Sequence, residues 1–306
     1  MQDIRHPLDR RAAGLMVLLC AIWGLQQVVL KAVAADISPM MHIAVRSAVS
    51  ALLVSALMAW RREPWPGRDG TARAGCVVAG LFALEFVLVG QGLRYTSASH
   101  MVVFLYTAPI FAALGLAWRL PAERLGRWQW LGIALAFGGL ALSFGVRGAG
   151  QPQGDALRVL WGDALGLLAA LSWAATTVVV RSSALARSSA TQTLWYQLVG
   201  AAVVLLTLSW ATGQASIRFT PWVWASLVFQ SVVVSFASFL VWFWLLRHYL
   251  ASRLGVFSFL TPLFGVAFGA LLLGEPLEAG FVLGAVPVLA GIVLVSVNPG
   301  AARPKA

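Results

Sequence analysis

The chain has 306 residues, 60% of them hydrophobic and 11% charged, with mean hydropathy +0.83 and a formal net charge of +11. A soluble globular chain carries about 25% charged and about 45–50% apolar residues, and no single core hides an excess of this size. Composition therefore excludes a soluble enzyme and a disordered regulator. The arginines sit in short loops between apolar stretches of about 20 residues, the length of a bilayer-crossing helix. Membrane orientation accounts for the positive charge, and no nucleic-acid partner is expected. Cys20 and Cys76 lie in apolar stretches, so neither a disulfide framework nor a metal site is expected, and no cofactor signature is present.

In chain order the hydropathy pattern predicts ten membrane-spanning helices, at about 12–34, 39–60, 72–93, 98–118, 127–146, 161–181, 190–212, 221–246, 253–273 and 279–298. The first is too long for a signal-peptide core and has no small-residue cleavage site before Gln26-Gln27, so it stays in the mature chain. On it Trp23, Gln26 and Gln27 share one helical face. The second span carries Arg46, roughly 10 Å below the outer surface at 1.5 Å rise per residue. The third carries Glu85, roughly 20 Å above the inner surface. The fourth opens with His100, which aligns with Phe104 and Thr107 next to Tyr106, and holds Pro109. The sixth repeats the pattern of the first with Trp173, Thr176 and Thr177. The eighth has a stripe of Ser231, Ser235, Ser238 and Trp242, and the ninth has Pro262, Gly265 and Gly269. Gly280, Gly284 and Gly291 on the tenth suit close packing or a homodimer contact.

Lysine and arginine bias sets orientation. Sixteen of the 22 basic residues fall at the N-terminus, the C-terminus and the loops on their side, five fall in the opposite loops, and Arg46 lies within a span. Both termini are thus expected in the cytoplasm, with residues 1–11 and 299–306 as tails. Nine tryptophans fall at span ends, where their rings favour the interface. Trp23, Trp173, Trp195, Trp242 and Trp244 lie deeper.

The halves resemble each other. WGLQQVVLK (23–31) aligns with WAATTVVVR (173–181), and Leu93-Arg94, Ala98-Ser99, Val103-Phe104 and Pro109 recur 153 residues later. Five spans per half is an odd number, so the halves, 12–146 and 161–298, must cross in opposite senses. The expected fold is an all-α integral membrane protein made of two inverted five-helix repeats. Secondary transporters commonly have this plan, with substrate held near the midplane between the repeats.

The strings GLRYTSASHMVVFLYTAPIFAALG (92–115) and RHYLASRLGVFSFLTPLFGVAFGALLLGEPL (247–277), with Glu123 and Glu275 in the loops that follow, resemble a pair of EamA domains. Pro121-Ala122-Glu123 departs from the Gly274-Glu275-Pro276 of the second copy. Paired EamA domains mark the drug/metabolite transporter superfamily. The resemblance implies a transporter in a bacterial inner membrane that exports a small amphipathic molecule such as an amino acid, an aromatic metabolite or a drug.

An ionisable group inside a bilayer costs at least about 2.5–3.5 kcal/mol and is a functional candidate by default. Arg46 and Glu85 lie at similar depth and are expected to form or exchange an ion pair facing the cavity. That pair either ties two helices permanently or takes part in substrate binding or proton coupling; the remaining reading leaves the two groups unpaired and snorkelling. Pro109 and Pro262 suit hinges or static kinks. The rival readings are a channel or facilitator and an intramembrane enzyme. The enzyme reading is weakened by a single deep carboxylate, by scattered histidines and by the absence of HExxH and GxSxG.

Overall fold

The structure is a computed structural model that describes residues 9–67, 70–120, 125–145 and 153–275, with single positions between 283 and 294. Asp9 opens α1 (Arg10–Ala32): its carboxylate accepts from the Ala12 amide at 2.7 Å and holds the first turn. That bond keeps the Asp9 carboxyl below its ordinary pKa of 3.8. Ser38 caps α2 (Pro39–Trp60) in the same way, with a proline in the first turn where no amide donor is needed. α3 spans Ala72–Gly92, α6 Arg127–Gly145, α7 Gln153–Ser182 and α8 Ala190–Ala211. Pro221–His248 is one continuous helix made of α9 (Pro221–Val228), a π-helical stretch Phe229–Ser238 and α10 (Phe239–His248). Among the described residues, six helices are long and apolar enough to cross a membrane.

The fourth and ninth predicted spans are each broken in two. α4 (Ala98–Leu105) gives way to α5 (Ala108–Arg119), and α11 (Ala251–Phe257) gives way to α12 (Leu260–Leu273). Both breaks lie just ahead of the repeated prolines. Pro109 and Pro262 donate no amide and crowd the preceding turn, so the chain tightens there. Thr107 N bonds Phe104 O at 3.2 Å and Ser258 N bonds Gly255 O at 3.1 Å, both three residues back rather than four. The tenth predicted span, including Gly280, lies outside the described residues apart from scattered positions. The two tails (1–8, 299–306) and the loop at Pro121-Ala122-Glu123 lie outside them entirely.

Packing repeats across the halves. α1 crosses α12 as α7 crosses α5, while α2 lies along α8 and α3 lies against both α7 and α8. Within a bilayer the lipid tails are as apolar as leucine, so close approach and interhelical hydrogen bonds hold such pairs together. At the α1–α12 crossing, a Cβ added at Gly24 would come within 2.7 Å of the Gly265 amide nitrogen. Contacts between loops respect the predicted sides. Ile37 pairs with Ile217, and Ser38 Oγ donates to Gln214 O at 2.8 Å, joining two of the arginine-poor loops. At the other end Ser189 and Thr191 donate to the Glu63 carboxylate, joining two arginine-rich ones.

Candidate functional site

A cleft holding about 570 Å³ of empty space, open solvent at its mouth included, lies among α1, α3, α4, α7, α8 and α10. Aromatic rings from both halves wall it. Trp23 is the hub, with ring centroids 5.5 Å from Trp242, 6.4 Å from Trp173 and Phe239, and 6.5 Å from Tyr106. Tyr106 in turn meets Trp173 edge-on at 5.0 Å. These separations suit tilted and edge-to-face pairs, which hold their geometry better than stacked sandwiches do. Trp23 Nε1 donates to Ser238 Oγ at 2.9 Å, and Ser238 Oγ donates to Val234 O at 2.6 Å, so the indole is fixed to the π-helical stretch. Phe82 and Phe86 of α3 complete the wall.

Three of the five deep tryptophans meet here. Trp195 instead donates to Ser55 Oγ at 2.9 Å beside Tyr196, and Trp244 faces outward against His248.

The polar part of the lining is Gln26, Glu85, Thr176, Thr177 and Gln197. Glu85 is 5% exposed, and its Oε2 has no hydrogen-bond partner. Gln197 is fully buried with both amide atoms unpartnered. The two threonines bond back to carbonyls of their own helix, at 3.0 Å from Thr176 and 3.2 Å from Thr177.

Arg46 does not form the expected contact pair with Glu85. Its guanidinium donates to Gln26 Oε1 at 2.9 Å and to Gln230 Oε1 at 2.5 Å, and it lies 4.6 Å from the Phe86 ring centroid. Gln230 Nε2 closes the network on Gln26 O at 2.8 Å. Neutral amides from α1 and the π-helical stretch thus take the cation, and Phe86 offers it a ring face. Arg46 sits behind the wall, reaching the cavity through Gln26. Gln230 and Gln197 carry no signal in the sequence, being neither ionisable nor matched between the repeats. Nothing in the apolar pattern of residues 229–238 signals π-helical winding.

The remaining candidates are spread around this centre. Gln27 is fully buried with an unpartnered amide but does not line the cavity. Ser235 is buried on the π-helical stretch with its hydroxyl unpartnered. Thr107 Oγ1 donates to Phe104 O at 2.7 Å. His100 also stays outside the lining. Its Nδ1 lies 3.1 Å from the Asp163 carboxylate, which also accepts from Thr96 Oγ1 at 2.8 Å. Pro109 lines a smaller adjoining space of about 320 Å³ with Trp173, Thr177, Trp242 and Gly255, whereas Pro262 is buried and lines neither space. No group of three or more His, Cys, Asp and Glu side chains among the described residues is placed to hold a metal.

The ends of the cavity differ. Val180 on α7 and Leu246 on α10 line one end, next to Arg181 and Arg247. Toward the other end the Lys31 ammonium donates to Leu93 O at 2.7 Å and Thr96 O at 3.0 Å, tying the end of α1 to the end of α3. Outside that bridge is a polar vestibule of about 1010 Å³, open to solvent, with Lys31, Asp36, Ser38, Arg94 and Gln214 in its wall.

The comparisons with known proteins agree with one another. A Bacillus subtilis protein named uncharacterized transporter YoaV is 23% identical over 91% of this chain and 94% of its own length. A Salmonella typhimurium protein named probable amino-acid metabolite efflux pump is 26% identical over 94% of this chain and 95% of its own. A solved crystal structure superposes with a TM-score of 0.73 at 17% identity, covering 94% of this chain and 98% of that one, which shows a shared fold. Six apolar helices and transporter relatives along almost the whole length make this a multi-pass membrane protein. Residues 10–145 and 160–297 each match the sequence profile of the EamA-like transporter family, and the chain belongs to that family.

Proposed function

We propose that the protein is a secondary transporter that exports a small amphipathic molecule, with the aromatic cavity as its substrate site. The observation that carries this reading is the placing of Glu85, a buried carboxylate with an unpartnered oxygen, within walls contributed by both halves. Ten helices arranged as two inverted repeats, with both termini cytoplasmic in a bacterial inner membrane, are the architecture that fits it. The exchange of helix pairs between halves and the loop contacts on matching sides support that plan. On this orientation the cavity extends toward the cytoplasmic, arginine-rich end, and alternating access moves it to the other.

The ring faces suit a substrate with a flat apolar body, and Glu85 suits either an amine on that substrate or an exchanged proton. The Salmonella relative's name, which refers to amino-acid metabolites, places amino-acid-like compounds first in the panel. Pro109 and Pro262, just past the two helix breaks, are proposed hinges.

The test is efflux from cells preloaded with amino acids, aromatic metabolites or cationic dyes, with and without an uncoupler. Uncoupler-sensitive loss of one class above the empty-vector control is expected, together with at least about a tenfold slower rate in Glu85→Gln, the effect of about 1.4 kcal/mol. Unchanged efflux and unchanged pH dependence in Glu85→Gln would remove the carboxylate from coupling and from binding.

A further inference from the structure

We propose that Gln197 is a specificity-determining subsite at the far end of the cavity from Glu85, and that the two together select an elongated substrate. That substrate carries an ammonium at one end, a flat apolar body, and an uncharged carboxamide-like group at the other. The proposal rests on the cavity being the substrate site and adds which molecules fit it.

The spacing comes from the register of α3 on α8. A Cβ at Gly200 of α8 would lie 2.6 Å from the Ala79 Cβ and 2.9 Å from the Ala79 oxygen of α3. Four residues earlier on both helices, Gly75 lies against the Tyr196 ring. The two pairs ascend together, so the helices run parallel and Gln197 is level with Cys76. Glu85 stands nine residues beyond Cys76 on α3, about 13 Å at 1.5 Å rise per residue. Side chains lean toward the N-terminus of their own helix, so on parallel helices both groups shift the same way and the separation is kept. The other walls are of similar length. The lining runs from Trp173 to Val180 on α7 and from Phe239 to Leu246 on α10, seven positions or about 10 Å on each. Val180 packs with Tyr196, the neighbour of Gln197, which puts Gln197 at the Val180 end.

The chemistry comes from what each end lacks. Glu85 Oε2 has no donor, and Gln197 has neither a donor for its oxygen nor an acceptor for its nitrogen. Both residues are buried. A buried amide without partners destabilises a fold, so the protein gains nothing structural from Gln197. A carboxamide, or any adjacent carbonyl and N–H, meets both of its atoms at once, and an ammonium meets Glu85. A substrate carboxylate finds no cation: among the described residues the lining holds no Lys, Arg or His, and the Arg46 guanidinium is held by Gln26 and Gln230 behind the wall. The two substrate groups must lie on the order of 10 Å apart to engage both ends. A single amino acid, with its charged groups adjacent, reaches one end at a time. Between the ends Trp23, Trp173 and Trp242 offer ring faces to a flat body.

The test is calorimetric binding to the full chain purified in detergent, a readout independent of the direction and drive of transport. The probe is biphenyl with an aminomethyl group at one para end and a carboxamide at the other. It is compared with biphenylmethylamine, which lacks the carboxamide, and with the shorter pair of para-aminomethyl benzamide and benzylamine. The carboxamide is expected to tighten binding by at least about tenfold in the biphenyl pair and by less than about twofold in the short pair, since a site built for a polar group discriminates against its absence. Gln197→Leu, and Gln197→Met should the first fail to fold, are expected to abolish the biphenyl advantage while melting no lower than the parent.

An advantage that persists in the variants, one equally large in the short pair, or no binding of the two-ended probe overturns the proposal. Lower melting with all four affinities falling together assigns Gln197 to the fold and overturns it too. Failed export of every panel compound, with the length-dependent advantage intact, upholds the subsite and removes the export reading instead. Export of a panel compound without that advantage keeps the export reading and overturns the subsite.

Discussion

Arg46 heads the largest fully buried side chains of the described structure, and its surroundings set what replacing it costs. The guanidinium satisfies the side-chain carbonyls of two buried glutamines. Arg46→Met keeps much of the volume and leaves both acceptors buried and unmet, an expected loss of about 2–4 kcal/mol. Adding Gln230→Leu removes one orphaned acceptor and is expected to recover part of the loss, since deleting both partners of a buried bond costs less than deleting one. Thermal melting of the detergent-purified single and double variants measures this. A single variant as stable as the parent would show that the network contributes nothing to stability.

Arg46 and Glu85 were legible in the sequence as buried ionisable residues, because an ionisable residue stands out in an apolar span. Their partners were not. Which of several buried amides meets a guanidinium depends on helix rotation and crossing, and periodicity does not encode these.

Among the helices, glycine decides how near two axes come. α1 and α12 meet where Gly24 faces Gly265, and Gly265 in turn lies against Val102 of α4, so the three helices share one crowded point. A Cβ at Gly24 would press on backbone and on the Phe264 Cβ, neither of which is a flexible chain end. Gly24→Ala is therefore expected to push α1 off α12 and to destabilise by about 1–3 kcal/mol, the usual range for overpacking. At Gly14, where nothing lies within 4 Å, the same substitution is expected to be neutral or slightly favourable. A melting comparison of the two variants separates helix propensity from packing, and equal effects would refute the close-approach account. Gly265 was visible in the sequence through its GxxxG spacing with Gly269, whereas its partner Gly24 was not, because spacing along one helix does not name the helix opposite.

For the whole molecule, the inverted-repeat plan makes a sided prediction. With Cys76→Ser in place, a cysteine at exposed Gly213 is expected to react with an impermeant maleimide from outside intact cells. One at exposed Arg187 is expected to react only after permeabilisation. The reverse pattern would invert the orientation drawn from arginine bias, and equal labelling of both sites would break the repeat plan itself.

The sequence by itself determined that this is a membrane protein, where six of its apolar helices lie, that its halves resemble each other, and which family motifs it carries. Those properties are written in hydropathy, charge bias and spacing, which act locally along the chain. Only the tertiary structure decided that Trp23, Trp173 and Trp242 share one cavity while Trp195 and Trp244 do not. It also decided that Arg46 turns to glutamines, that His100 pairs with Asp163, and that residues 229–238 wind as a π-helix. Each of these depends on how helices distant in sequence cross and rotate against one another, and that is set by packing summed over the whole bundle.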